Sequence, residues 1–161
     1  MLRSMEAALN DQVKHEMASA YIYLSMAAYC ENSNLPGMAH WLKLQAKEEL
    51  AHALRFYEFI HDRGGKVMLQ AIPQPRTDFA SPVEVFVEVV KHEQAITGLI
   101  HSLYGQAVEE KDYASLPFLQ SFITEQIEEE KVSAEILSMV KMAGGEPRSL
   151  FLLDRELGNR T

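Results

Sequence analysis

Between Met5 and Cys30 the chain carries no Gly or Pro, and its apolar residues recur at intervals of three and four. That is the spacing of one face of an α-helix. The stretch NSNLPG, Asn32 to Gly37, ends the segment. A second helix is predicted from Pro36, or just after it, to Arg63, stopped by Gly64 and Gly65. Then comes KVMLQAIPQPRTDFA, where Pro73 and Pro75 rule out a long helix. Ser81-Pro82-Val83-Glu84 offers a capping Ser, a Pro at the first helical position and a Glu at the capping-box spacing. A third helix is predicted from there to about Glu110, and a fourth from about Ser115 to Ala143, closed by Gly144-Gly145. Pro147 opens a short apolar segment ending at Gly158. Helices of roughly 26 to 30 residues span about 40 Å at 1.5 Å per residue. The long connection between the second and third permits a crossover. The predicted fold is therefore all-α: a four-helix bundle at about residues 3–143 and a short fifth helix at about 147–158, in a single domain over 1–161.

At least one polar position in each inward stripe breaks the pattern. Val13, Glu16, Ala20, Tyr23 and Ala27 share a face of the first helix. Glu49 and His52 run with Leu42, Ala46, Ala53, Phe56 and Ile60 on the second, and Glu93 with Phe86, Val89, Val90, Ile96 and Ile100 on the third. On the fourth, Phe118, Phe122, Glu125, Glu129, Val132, Ile136 and Met139 form an alternating three-four series. A single Glu beside an apolar stripe commonly snorkels or pairs with a cation. Four helices each contributing one, with no Lys or Arg at a comparable position in these runs, call for another account. Converging carboxylates repel, and some stay protonated at neutral pH. A bound multivalent cation removes the conflict.

Carboxylates with one imidazole and no thiolate suit Fe, Mn or Zn, and argue against a structural zinc site. A Glu from each of two helices plus Glu-x-x-His from the others builds dinuclear carboxylate sites in bundles. Glu16 and Glu93 supply the single carboxylates, and Glu49-Leu50-Ala51-His52 supplies one Glu-x-x-His. The fourth helix, Glu125-Gln126-Ile127-Glu128-Glu129-Glu130, has no His at that spacing, so the site is asymmetric.

Composition narrows the partners. A 161-residue chain with 47% hydrophobic and 24% charged residues can bury a sizeable core as a soluble domain. Its formal charge of −8 argues against nucleic acid. No apolar run approaches the roughly 20 residues that span a bilayer, so no membrane partner is expected. Cys30 is alone, which suits a reducing compartment, and MLRSMEAALNDQ lacks the pattern of a signal peptide; a cytoplasmic location is expected. The remaining histidines, His15, His40, His61, His92 and His101, are not expected to be ligands; for His92 a surface or interface role is expected.

Five segments together, LNDQVKHEMASAYIYLSMAAYC, AKEELAHALRFYEFIHDRGG, SPVEVFVEVVKHEQAIT, FITEQIEEEK and SLFLLDREL, resemble the ferritins, specifically the non-haem ferritins of bacteria and archaea. The resemblance covers nearly the whole chain. It implies an iron-storage ferroxidase, in which Fe(II) is oxidised by dioxygen at a dinuclear centre and stored as ferric mineral. Carried over residue by residue, Glu16, Glu49 and His52 would hold the first iron. Glu49 would bridge to a second, held also by Glu93 and Glu129, with Gln126 nearby. A third iron site would use Glu48, Glu125, Glu128 and Glu129, and Tyr23 would stand where a tyrosine can supply an electron. The resemblance further implies a homo-oligomeric cage of roughly 24 copies in octahedral arrangement, with the fifth helix near the four-fold axes. Bacterioferritins are less similar, since they carry a second Glu-x-x-His and use a Met for haem; no haem is expected.

The chain departs from the family pattern at Ser121, where an aromatic residue is frequent, and at Leu116 and Leu119, which align with the acidic pair of the three-fold channel in animal ferritins. Two other functions compete: a soluble di-iron carboxylate oxidase acting on an organic substrate, and a DNA-protecting mini-ferritin.

Overall fold

The computed structural model describes all residues, Met1–Thr161, and contains five helices and no strand. They are α1 (Arg3–Asn32), α2 (Pro36–Asp62), α3 (Pro82–Glu109), α4 (Ser115–Ala143) and α5 (Pro147–Leu157). Each boundary falls within two or three residues of its sequence signal. Pro stands at the first turn of α2, α3 and α5, where its missing N–H costs nothing. Ser81 caps α3 by accepting from Glu84 N. The return half of the capping box is displaced by one residue, because the Glu84 carboxylate accepts from Ala80 N. Gly64 and Gly144 follow α2 and α4 at φ +70° and +56°, a conformation open to glycine without a Cβ penalty.

The core lies in two apolar blocks. In one, Tyr23, Met26 and Ala27 near the end of α1 pack with Met38 and Leu42 from the start of α2, Val85, Phe86 and Val89 from the start of α3, and Ile136 and Val140 from the end of α4. In the other, Met5, Leu9 and Val13 pack with Phe56, Ile60, Ile100 and Leu119. The starts of α1 and α4 therefore meet the ends of α2 and α3, so α2 and α3 run parallel. That forces the 63–81 connection to travel the length of the bundle. It does so along α1: Asn10 Nδ2 donates to Lys66 O, Met68 N donates to Asn10 Oδ1, and further on Ser25 Oγ donates to Arg76 O. No helix is long and apolar enough to cross a membrane.

The α4 stripe is rotated from the predicted series. Leu119, Phe122, Gln126, Ser133, Ile136 and Val140 are the buried residues, while Glu125 and Glu129 are half-buried and Met139 is exposed. The helix packs closely on α3 but its backbone stays more than 8 Å from α2 throughout. The edge carrying Glu125 and Glu129 thus faces the α2 gap, and the deepest position passes to Gln126.

α5 docks through one buried carboxylate. Asp154 accepts from Gly37 N (3.1 Å) and Met38 N (2.8 Å), satisfying free donors at the α2 N-terminus. The approach is so close that a Cβ on Gly37 would lie 1.7 Å from the Asp154 carbonyl oxygen. Gly37→Ala is expected to lower stability by about 1–3 kcal/mol through this clash. By contrast, Gly105→Ala, at an open helical position, should raise it by about 0.5–1 kcal/mol. Thermal melts of both variants check this; equal behaviour would mean that α5 is not tightly seated.

Candidate metal centre

Between the two apolar blocks lies a polar layer. Glu16, Glu49 and Glu93 are buried almost completely, each exposing 2% or less. Glu129 and His52 are half-buried at the edge of the layer. Glu16, Glu49 and His52 each offer one ligand atom, and these atoms lie within 4.8 Å of one another. His52 Nδ1 faces Glu49 Oε2 at 3.5 Å and Glu16 Oε2 at 4.0 Å. Both oxygens are buried and without a hydrogen-bond partner. Buried polar atoms are ordinarily satisfied. Two unpartnered carboxylate oxygens converging on an imidazole nitrogen make a cation-binding pocket in shape and charge.

The other carboxylates are held by neutral donors. Gln12 Nε2 donates to Glu16 Oε1 at 2.6 Å. The Tyr23 hydroxyl donates to Glu93 Oε1, and Gln126 Nε2 lies 3.1 Å from Glu93 Oε2. Gln45 Nε2 donates to Glu129 Oε2 at 3.0 Å, leaving its own buried Oε1 without a partner. Amides and a phenol orient the carboxylates without neutralising them, which leaves the negative charge available to a metal.

The electrostatics follow from this. Burial pushes Glu16 well above the usual carboxylate range, and the neighbouring Glu49 pushes it further. Burial, then the charge of Glu93, lifts Glu49 from 4.5 to about 8. Glu93 is raised by burial against the opposing bonds from Tyr23 and Gln126, and Glu129 is raised by burial against the bond from Gln45. Glu49 and Glu93 each titrate together with their neighbours, so the protons belong to the cluster rather than to any one residue. Burial and the Glu93 charge also hold the Tyr23 phenol well above 10, so it stays protonated.

The remaining positions named from sequence lie outside this inner group. Glu48 and Glu128 are exposed. Arg160 Nη2 donates to Glu48 Oε2 at 2.9 Å, with its guanidinium over the Trp41 ring. Arg55 Nη1 lies 2.9 and 2.8 Å from the two oxygens of Glu125. The absence of cations expected from the stripes thus holds for the bonded partners of Glu16, Glu49 and Glu93, but not for Glu48 and Glu125, and the Arg160 charge also reaches Glu129. Long arginine side chains reach Glu48 and Glu125 from positions off the stripes. His92 is packed inside rather than free on the surface: its Nε2 meets Ser19 Oγ at 2.8 Å and its ring stands edge-on to Tyr23. Burial lowers it to about 4, so it is a neutral brace for Tyr23. Leu119 lies in the core and Leu116 packs beside it, so neither presents a polar group.

Sequence reasoning passed over Gln12, Gln45 and Arg55. The two glutamines had a signal: each stands four residues before a buried Glu, on the same helical face.

The family model for the ferritin-like domain matches residues 6–143. The chain is 37% identical to a bacterial non-heme ferritin of Staphylococcus aureus over 159 residues, 99% of this chain and 96% of that protein. It is also 37% identical to one of Staphylococcus saprophyticus, covering 96% and 92%. Among solved structures, an open-pore ferritin from the hyperthermophilic archaeon Archaeoglobus fulgidus superimposes with a TM-score of 0.99 at 40% identity, covering 100% of this chain and 98% of that one. An engineered closed form of the A. fulgidus ferritin gives 0.98 at 39%, with the same coverage. Fold, buried carboxylate layer and full-length similarity agree: the chain belongs to the ferritin family.

Proposed function

We propose that residues 1–161 form one subunit of an iron-storing ferritin cage that oxidises Fe(II) with dioxygen at a dinuclear centre. The observation that carries this is the pair of unpartnered, buried oxygens of Glu16 and Glu49 facing His52 Nδ1. Iron is the substrate. The first Fe(II) binds Glu16, Glu49 and His52; the second binds Glu49, Glu93 and Glu129, with Gln126 beside it. Two Fe(II) ions give one electron each to dioxygen, which takes up two protons and leaves as hydrogen peroxide, and the Fe(III) ions move to the cage interior and hydrolyse to oxyhydroxide with release of protons. Tyr23, bonded to Glu93, is placed to supply a further electron. A third iron uses the outer carboxylates Glu48, Glu125, Glu128 and Glu129. The protein's own work is to fix spacing, hold amide and phenol donors on the outer lone pairs, and keep water out.

Two features favour this over the rivals. All five inner ligands come from one chain, whereas a mini-ferritin builds its site between subunits. The clefts beside the crossover, against α5 and along the α1/α3 seam are lined by none of these five residues.

Glu49→Ala is expected to abolish rapid oxidation, since the bridging position serves both irons, and to leave folding intact because it removes one of several repelling carboxylates. Stopped-flow absorbance on the assembled variant measures it; a wild-type rate would overturn the bridging role. Glu128→Ala should remove the third equivalent from an anaerobic Fe(II) titration. Three irons per chain in that variant would take Glu128 out of the outer site.

Metal and pH act together. A carboxylate whose folded pKa is raised binds protons more tightly when folded, so its favourable contribution is complete below about 4.5 and lost as pH climbs toward about 8 for Glu49. Metal-free protein should therefore melt at progressively lower temperature across that window. Zn(II), a redox-silent stand-in, needs the ionised cluster and releases its protons. Its stabilisation, about 2.7 kcal/mol at a hundredfold excess over Kd, should grow with pH and shrink in Glu16→Gln and His52→Ala. A gain flat with pH and indifferent to both substitutions would mean that the buried carboxylates do not bind the metal.

A further inference from the structure

Glu125 has a second set of contacts that a role as an outer iron ligand leaves unexplained. Its Oε2 lies 3.1 Å from His52 Nε2, on the side of the ring opposite the inner carboxylates. Both of its oxygens are held by Arg55 Nη1, and Arg55 Nη2 donates to Ser121 Oγ at 2.7 Å. The Ser121 hydroxyl donates in turn to Phe118 O. The Arg55 guanidinium also lies over the Phe122 ring, 4.0 Å from its centroid, and that ring stands edge-on to His52. Glu125 and Phe122, which both meet the imidazole, are therefore both contacted by Arg55.

We infer that Ser121, Arg55 and Glu125 form a positioning relay that fixes His52 for the first metal, with Glu125 acting through the imidazole in addition to serving the outer iron. The inference rests on the inner centre proposed above. A neutral imidazole carries one proton, and the partner of one nitrogen decides where it sits. A carboxylate near Nε2 favours the tautomer protonated there and leaves the Nδ1 lone pair free on the side of Glu16 Oε2 and Glu49 Oε2. Carboxylate–histidine–metal arrangements of this kind raise ligand basicity and restrict ring rotation.

The Arg55–Glu125 pair is about two-fifths exposed, so its own contribution to stability is small. Its effect is on geometry. Ser121 gains a purpose here. The small hydroxyl leaves room for the guanidinium and accepts its second nitrogen, which a bulky aromatic side chain at that position would not do.

The two roles for Glu125 predict different outcomes for one substitution. If Glu125 orients His52, Arg55→Ala loosens the relay and weakens the first metal site. If Glu125 serves only as an outer ligand, Arg55→Ala removes a competing cation and leaves the first site unchanged or strengthens a later one.

The test is anaerobic Co(II) titration of the assembled protein, followed by calorimetry and by the visible d–d bands, with Co(II) as a redox-stable probe. Glu125→Ala and Arg55→Ala are each expected to weaken the first Co(II) by about 10- to 100-fold, with altered d–d bands. Glu125→Gln, isosteric and able to accept from Nε2–H but unable to pair ionically with Arg55, should fall between wild type and alanine. It also carries the test if an alanine variant fails to assemble. An unchanged first affinity in Glu125→Gln and Arg55→Ala, alongside a large loss in His52→Ala, would overturn the relay and leave the centre standing. An unchanged first affinity in His52→Ala as well would overturn the centre on which the relay depends.

Discussion

Burying several carboxylates together, with no lysine or arginine among them, is the constraint around which this bundle is arranged. Each ionised carboxyl taken out of water is costly unless paired, and Glu16, Glu49 and Glu93 are all inside. The fold answers by giving that layer its own shape. The backbones of α2 and α4 stay apart while α1 and α2, and α3 and α4, close up. The space left between α2 and α4 is bridged by side chains, among them Gln45 to Glu129, Arg55 to Glu125 and His52 to Glu125. Apolar blocks above and below supply the burial that holds the helices together, so the polar layer does not have to.

The donors around the layer are chosen for neutrality. A lysine beside Glu16 or Glu93 would stabilise the metal-free fold but occupy the site, since a tethered cation competes with a metal for the same oxygens. Gln12, Gln126 and Tyr23 satisfy one lone pair each and leave the rest of the charge in place. Cations appear only one shell out, on Glu48 and Glu125, where the carboxylates are partly solvated. The gradient runs from uncompensated charge at the centre to compensated charge at the rim.

Much of this was legible in the sequence because helices announce themselves twice. Pro36, Pro82 and Pro147 mark starts, Gly64 and Gly144 mark stops, and the three-four spacing fixes the inward face. Glu16, Glu49 and Glu93 were readable as polar intrusions into that face. The α4 face was not fixed as well, because its Phe, Glu and Gln residues fill two adjacent stripes and only the distance to α2 decides which is deeper. Arg55 and Arg160 were illegible for a different reason. A six-atom side chain reaches carboxylates well away from its own stripe, and periodicity records only where the Cα sits. The docking of Asp154 onto Gly37 and Met38 depends on a contact more than a hundred residues apart in the chain, which no local pattern encodes.

The same layer explains how one fold tolerates both an empty and a loaded centre. Without metal, the cluster keeps protons that isolated carboxylates would have released: Glu16, Glu49, Glu93 and Glu129 are all shifted upward, with burial as the leading cause. A proton between two carboxylates removes one charge and adds one hydrogen bond. A divalent cation removes two charges and satisfies the orphaned oxygens of Glu16 and Glu49. Protons and metal are therefore alternative solutions to a single electrostatic problem, and exchanging one for the other asks little of the backbone. Under the function proposed above, in which iron arrives at this layer and leaves it, that exchangeability matters more than tight retention. A site too well matched to its metal would hold the ion, and one with built-in cations would never admit it.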